Sequence, residues 1–200
     1  MLIHGLVNGS RANGPGLRAV VYFQGCTVGC RFCWNKETHA FSGEERSVAD
    51  VTHSLVCGHH ERPLDGVTFS GGEPMQQADA LLALTESLRD RLAGLSFGLY
   101  SGYSEPELAS GRYWCRCDLT QREKEEMWQR IRSHLDFAVL GRYLAGKPSA
   151  LALRTSTNQK LVLFSDRYRE EDFSAQEVEV HLDAQGTVQM TGFPTAGLLV

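Results

Sequence analysis

Short apolar runs alternate with longer amphipathic segments along most of this chain, and that alternation constrains its fold more than any other feature. The pattern predicts strands at 17–25, 65–74, 95–103, 135–143 and 159–165, and helices at 47–60, 76–94 and 120–134. Because such alternation is typical of βαβ units, we expect an α/β domain with a mostly parallel sheet. Residues 177–192 alternate between apolar and polar side chains and instead predict an antiparallel C-terminal hairpin.

Length and charge narrow the class of protein. The 200 residues suit a single domain over 1–200, with its core at about 8–165 and a hairpin and tail at 175–200. A net charge of −4 without a basic stripe predicts no nucleic-acid partner. No apolar run reaches the roughly 20 residues of a membrane helix, and the first residues lack the features of a signal peptide. We therefore expect a cytoplasmic protein with no membrane partner.

Three cysteines follow the first predicted strand within eight positions: Cys26, Cys30 and Cys33. Thiolates suit zinc or iron–sulfur clusters, and three of them can hold three irons of a 4Fe-4S cluster while the fourth iron stays open. The alternatives are a zinc site completed by His39, His59 or His60, and a local disulfide. Zinc is the less favoured one, because neither a second CxxC nor an HxxxH accompanies the cysteines.

Two further loops carry distinctive residues directly after predicted strands. They contain Gly71–Pro74 and Ser101–Tyr103. In parallel α/β folds ligands bind at the carboxyl ends of the strands, so we expect these loops and the cysteine loop to form one site.

Two motifs together resemble the radical S-adenosylmethionine (SAM) superfamily. They are CTVGCRFC at 26–33 and TFSGGEP at 68–74, separated by a predicted helix. The resemblance implies a 4Fe-4S cluster with three cysteine ligands and SAM bound at the fourth iron. It also implies an incomplete parallel (β/α) barrel. Five predicted strands cannot close an eight-stranded barrel of about 250 residues, and a lateral opening would suit a macromolecular substrate.

Within that superfamily the chain resembles the activating enzymes of glycyl radical enzymes, above all the short activators of anaerobic ribonucleotide reductase. The matching segments, which span about 8–165, are Gly14–Arg18, Asn35, Leu99–Tyr103, 137–144 and Arg154–Gln159. Leu140 and Thr155 depart from the pattern, which has aspartate and glycine there.

The resemblance implies roles for individual residues. Cys26, Cys30 and Cys33 would ligate the cluster and so serve the catalytic step. The residues expected to contact SAM or cover the cluster are Phe32, Trp34, Gly71, Gly72, Glu73, Ser101 and Tyr103, with Asn158 a weaker candidate. The implied partners are a glycyl radical enzyme, expected to be an anaerobic ribonucleotide reductase, and a flavodoxin-like or ferredoxin-like electron donor.

The sequence is also compatible with two other functions. One is a radical SAM enzyme that modifies a small molecule or peptide, such as a 7-carboxy-7-deazaguanine synthase-like enzyme, with the C-terminal hairpin as its extra substrate-binding segment. Another is a non-catalytic iron–sulfur or zinc scaffold. Cys57, Cys115 and Cys117 are either ordinary thiols or ligands of a second metal.

Overall fold

The computed structural model describes residues 1–173, 178–182, 186 and 188–193. Six strands form one sheet in chain order: β1 (Ile3–Ser10), β2 (Arg18–Phe23), β3 (Gly66–Gly71), β4 (Ser96–Ser101), β5 (Phe137–Leu140) and β6 (Lys160–Leu163). The helices are α1 (Val48–Glu61), α2 (Ala78–Arg91), α3 (Glu105–Ala109) and α4 (Gln121–His134). Short 3-10 helices lie at Lys36–Thr38, Pro74–Gln77 and Glu170–Asp172, and a separate hairpin pairs β7 (Val178–Leu182) with β8 (Val188–Gly192).

The central sheet is mostly parallel, as the sequence predicts. Strands β2 to β5 are parallel neighbours, whereas β1 and β6 pair antiparallel at the two edges. The described strands therefore form an open sheet. The sequence does not predict β1 or α3, because Gly5 and Gly9 interrupt β1 and α3 has only five residues.

One face of the sheet packs against the helices. Ala19, Val21 and Phe23 of β2 point to this side and are fully buried. A leucine stripe is buried in the same core; it comprises Leu81, Leu84 and Leu88 of α2 and the C-cap residue Leu92. Helix α2 packs against both α1 and α4. Ser47 and Thr120 are the N-cap residues of α1 and α4. Among the described residues, no helix has both the length and the apolar character needed to cross a membrane.

The opposite face of the sheet holds a fully buried arginine, Arg18. Its guanidinium donates to the Thr68 hydroxyl at 2.7 Å and the Ser96 hydroxyl at 2.6 Å, and to the carbonyl oxygens of Pro15, Val67 and Ser96. These acceptors are neutral, and burial lowers the pKa of Arg18. The turn at Gly14–Arg18 thus fastens the start of β2 to β3 and β4, which is a structural role.

The C-terminal hairpin is confirmed and rests on this second face. The hydroxyl of Thr191 on β8 accepts from the Asn13 amide at 2.7 Å and shares a 2.5 Å hydrogen bond with the Tyr22 hydroxyl. The rings of Phe193 and Tyr100 lie 5.7 Å apart. Most of the predicted hairpin turn and the tail beyond 193 lie outside the described residues.

Candidate functional site

A cavity of about 300 Å³ opens where the parallel strands end. The loop after β2 contributes Cys26, Cys30, Cys33 and Trp34, the loop after β3 contributes Gly71, Gly72 and Glu73, and the loop after β4 contributes Ser101 and Gly102. The structure therefore brings the three predicted loops to one cavity, because the carboxyl ends of parallel strands meet at the same edge of a sheet.

Backbone and amide contacts hold the start of the cysteine loop. The Gly25 N–H donates to the Thr38 carbonyl at 2.7 Å. The buried Gln76 accepts from the Thr27 N–H at 2.9 Å and donates to the Thr27 hydroxyl at 2.7 Å. Since Thr27 follows Cys26, Gln76 fixes the loop directly beside its first cysteine.

The glycine pair lets the second loop approach the first. The Gly72 N–H donates to the Phe23 carbonyl at 2.8 Å, and the Glu73 N–H donates to the Gly25 carbonyl at 2.9 Å. A Cβ at Gly71 would lie 2.5 Å from the Phe23 nitrogen, and one at Gly72 would lie 2.4 Å from the Gly25 oxygen. Both positions therefore require glycine for contact between backbones.

Glu73 connects the second and third loops. Its carboxylate is almost fully buried and accepts from the N–H groups of Met75 at 3.0 Å and Gly102 at 2.7 Å, and from the Ser101 hydroxyl at 2.9 Å. Burial raises the pKa of Glu73 to about 7, although these donors and the Arg142 charge act in the opposite direction. Glu73 therefore titrates near neutral pH in the chain without cofactors.

This shift predicts a pH-dependent stability. An unfolded glutamate ionises near 4.5, so the folded chain keeps a proton at Glu73 that the unfolded chain releases as pH rises from 4.5 to about 7. The contribution of Glu73 to the free energy of unfolding should be largest below pH 4.5 and fall by about 3 kcal/mol up to pH 7. Urea unfolding of the cofactor-free chain at several pH values measures it.

Glu73→Gln is expected to remove this pH dependence, whereas Glu44→Gln, at an exposed position, should keep it. If the wild-type and Glu73→Gln chains show parallel stability curves between pH 4.5 and 7, Glu73 does not retain its proton on folding.

Two of the predicted contact residues lie outside the cavity lining. Phe32 is 57% exposed, with a positive φ of 61°, and the Arg31 guanidinium lies 4.8 Å from its ring centroid. Tyr103 is buried, and its hydroxyl accepts from the Gln76 amide at 2.9 Å and the Trp114 N–H at 3.2 Å. In this arrangement Tyr103 holds neighbouring segments in place. Asn158 also lies outside the lining and donates to the Arg142 carbonyl.

The spacing of the three thiols decides which metal group they fit. Two sulfurs bound to one zinc at about 2.3 Å each are at most about 4.6 Å apart. Among the described residues, the only three metal-ligating side chains whose donor atoms all lie within 4.8 Å of one another are Asp79, Cys115 and Cys117. At least two of the sulfurs of Cys26, Cys30 and Cys33 therefore lie more than 4.8 Å apart, which is farther than one zinc ion allows. Of the candidate histidines, only His39 lines the cavity.

The protonation of the cysteine thiols also affects cluster binding. Burial raises the pKa of Cys26 to about 11, with the Glu73 charge adding to the effect, and burial raises the pKa of Cys33. Thiolates are the metal-binding form, so cluster binding must release these protons.

The three remaining cysteines do not form the shared second metal site. Cys115 and Cys117 are joined by a disulfide, while Cys57 is free and exposed on α1. The ordinary-thiol alternative is therefore confirmed for Cys57 alone, and a metal shared by all three cysteines is wrong for the described structure. A separation of two residues in the sequence gave no sign of which partner each sulfur would have.

Sequence reasoning missed the far wall of the cavity. Asn13, Tyr22 and Tyr100 line it together with Met190–Phe193 of the hairpin. The Tyr100 hydroxyl is buried and has no hydrogen-bond partner among the described residues. Strand alternation could have placed Tyr22 and Tyr100 on the face of Arg18, but not the hairpin. Residues of β8 therefore form part of this wall.

Comparison with known proteins places this chain in an iron–sulfur protein family. A family model described as a 4Fe-4S single cluster domain matches residues 12–162. Pyruvate formate-lyase-activating enzyme from Clostridium pasteurianum is 32% identical over 108 residues, which cover 49% of this chain and 45% of that protein. The chain thus spans less than half the length of this relative.

Two further similarities differ in coverage. Anaerobic ribonucleoside-triphosphate reductase-activating protein from Vibrio cholerae is 24% identical over 158 residues, covering 76% of this chain and 92% of that protein. The crystal structure of QueE from Escherichia coli matches 60% of each chain at 21% identity with a TM-score of 0.36, which is too low to support an argument.

Proposed function

Because this chain belongs to the 4Fe-4S single cluster domain family, we propose that it is a radical SAM enzyme that forms a glycyl radical on a partner enzyme. The candidate partner is an anaerobic ribonucleotide reductase, and the candidate reductant is a flavodoxin-like or ferredoxin-like protein. The observation that carries the proposal is the position of Cys26, Cys30 and Cys33 on one cavity with the Gly71–Glu73 turn. When bound, the 4Fe-4S cluster supplies the electron that cleaves SAM to methionine and a hydrogen-abstracting radical.

The residues of the chain would bind the cluster and SAM and orient them. Cys26, Cys30 and Cys33 would hold three irons, and their spacing supports a cluster over a single ion. The backbone of Gly71 and Gly72 would lie beside the ammonium group of SAM, and Glu73 would join this binding region to Ser101. Trp34 is placed to contact the bound group, since it lines the cavity. Phe32, which is exposed and lies outside the cavity lining, would cover the cluster only after a partner or SAM binds.

We also propose that the fold is an incomplete parallel (β/α) barrel. The four parallel strands β2–β5 are half the number in a closed (β/α)₈ barrel, which supports an incomplete barrel.

The charge of the cavity favours a protein substrate. None of the described residues that line it is lysine or arginine, while Glu37 and Glu73 are acidic. A small anionic substrate would find no cation there, whereas a glycine within a peptide segment is neutral and needs none. The similarity to two kinds of activating protein supports the same class of substrate.

The hairpin favours a second candidate, a radical SAM enzyme that modifies a small molecule or peptide. Met190–Phe193 line the cavity, so this segment could contact a bound substrate. That role matches the extra substrate-binding segment expected for such an enzyme.

The test is an anaerobic reaction. The cluster-loaded chain is incubated with dithionite and SAM, and 5′-deoxyadenosine and methionine are measured by mass spectrometry. Both products are expected. If the chain holds a full cluster but releases neither product, the enzyme proposal is wrong and the scaffold alternative is favoured. Addition of the reductase encoded in the same genome should then give a glycyl-radical doublet by electron paramagnetic resonance, which disappears when the target glycine is replaced by alanine. Deoxyadenosine without that doublet would favour the second candidate.

A further inference from the structure

We propose that Cys115 and Cys117 form a second reactive site, a reversible disulfide that exchanges with external thiols and changes how firmly the cysteine loop is held. The pair lies between α3 and α4, and the Asp79 carboxylate lies within 4.8 Å of both sulfurs. The site is separate from the candidate cluster site and does not depend on the proposed function.

The position of the disulfide argues against a purely stabilising role. A disulfide stabilises a fold mainly by closing a loop in the unfolded chain, and the gain grows with the length of that loop. Cys115 and Cys117 are separated by only two positions, so the closed loop is very short. The segment already has other anchors, such as the 2.7 Å ion pair between Arg116 and Glu45.

The two sulfurs differ in accessibility, as a thiol-exchange site requires. Cys115 is buried, with 6% of its surface exposed. Cys117 is half-buried and lines a cavity of about 330 Å³ together with Asp79, Gln77 and Met1. An external thiol can therefore approach the sulfur of Cys117, while Cys115 remains the resolving thiol inside.

The exchange reaction balances without any further cofactor. The thiolate of a small thiol, such as glutathione, attacks the Cys117 sulfur, the disulfide breaks, and Cys115 leaves as a thiolate that takes up a proton. A second glutathione thiolate attacks the mixed disulfide and releases the Cys117 thiol with oxidised glutathione. Two glutathione molecules are oxidised by two electrons and the protein disulfide is reduced to a dithiol.

The residues beside the two sulfurs connect the pair to the cysteine loop. The Arg116 N–H donates to the Gln76 carbonyl at 2.8 Å, and the Trp114 N–H donates to the Tyr103 hydroxyl at 3.2 Å. Gln76 also donates to that hydroxyl and holds Thr27 by two hydrogen bonds. The disulfide keeps these two N–H groups at a fixed separation, so its reduction loosens the contacts that hold Thr27 beside Cys26.

The first experiment maps the thiols of the full cluster-loaded chain after equilibration with glutathione mixtures of rising oxidised fraction. Cys115 and Cys117 should pass together from two alkylated thiols to a disulfide, whereas the exposed Cys57 should pass from an alkylated thiol to a glutathione adduct and form no disulfide within the chain. In the Cys115→Ser variant, Cys117 should form a glutathione adduct at least about tenfold faster than Cys115 does in the Cys117→Ser variant, because of its greater exposure. Equal rates would overturn the proposal, as would two free thiols under every mixture.

The second experiment measures hydrogen–deuterium exchange at the Thr27 amide. Exchange should be about fivefold faster in the dithiol form and in the Cys115→Ser, Cys117→Ser double variant than in the disulfide form, as expected for a weakened hydrogen bond. Cys57→Ser is the matched control and should leave the rate unchanged. Equal rates in both redox forms would overturn the coupling to the cysteine loop.

Zinc provides the competing outcome. If the reduced chain binds one zinc through Asp79, Cys115 and Cys117 and the bound pair then resists oxidised glutathione, the site is a metal site and the exchange proposal is wrong. Thiol mapping and hydrogen exchange need no SAM cleavage, so their failure is distinguishable from failure of the proposed function.

Discussion

Cys30→Ala is expected to reduce 5′-deoxyadenosine formation by more than about 100-fold, because loss of a direct ligand should exceed the 10- to 100-fold cost of losing an outer contact to a metal ligand. Cys30 lies in the middle of the cysteine loop and lines the same cavity as Cys26 and Cys33. Two remaining thiols would leave two irons of the cluster open instead of one. The measurements are iron and sulfide content after reconstitution, and deoxyadenosine by mass spectrometry.

Cys57→Ala is the matched control. Cys57 is also a free cysteine, but it is exposed on α1 and lies outside the cavity lining. Its removal should change neither iron content nor deoxyadenosine formation. A Cys30→Ala chain that retains full iron and full activity would contradict the assignment of Cys30 as a cluster ligand.

Gly71→Ala is expected to lower the free energy of unfolding by about 3 kcal/mol or more and to abolish SAM cleavage. Gly71 has a φ of +99°, and an added Cβ would lie 2.5 Å from the Phe23 nitrogen and 2.6 Å from the Phe23 oxygen. Backbone strain and overpacking each cost about 1–3 kcal/mol. Phe23 cannot shift without moving the start of the cysteine loop, so both stability and the site should suffer.

Gly94→Ala separates strain from steric contact. Gly94 has a similar φ of +90°, but no atom lies within 4 Å of its added Cβ. This variant should lose only about 1–2 kcal/mol and keep its activity. Chemical unfolding of both cofactor-free variants gives the comparison. Similar losses in the two would mean that contact between Gly71 and Phe23 contributes nothing beyond backbone strain.

Local sequence patterns were sufficient to predict most helices and strands of the fold. The periodicity of apolar residues predicted α1, α2, α4 and strands β2–β6, because each pattern reflects which face of a single segment is buried. Helix α2 illustrates this, since Leu81, Leu84 and Leu88 of the segment predicted as an amphipathic helix are all buried. The edge strand β1 was missed because its glycines and polar residues leave no regular alternation.

The sequence predicted which loops form the candidate site, but not the contacts that hold those loops in place. Cys26 lies beyond the end of β2, Gly71 and Ser101 are the last residues of β3 and β4, and the parallel order of these strands brings all three to one cavity. Gln76 gave no such signal, because its importance comes from hydrogen bonds to Thr27, 49 residues away in the chain. Hydrogen bonds over such separations depend on how whole segments pack.

The sequence by itself determined the α/β class, the three closely spaced thiols and the glycine pair, since spacing along one segment carries each of these. Only the tertiary structure decided three other features: Asp79 beside Cys115 and Cys117, the exposure of Phe32, and the hairpin on the far wall of the cavity. Each depends on contacts or packing between segments that are distant in the sequence, and no local pattern contains that information. For the cysteine loop, the sequence supplied the three thiols, and the parallel pairing of β2 with β3 brought them to one cavity with Gly71 and Glu73.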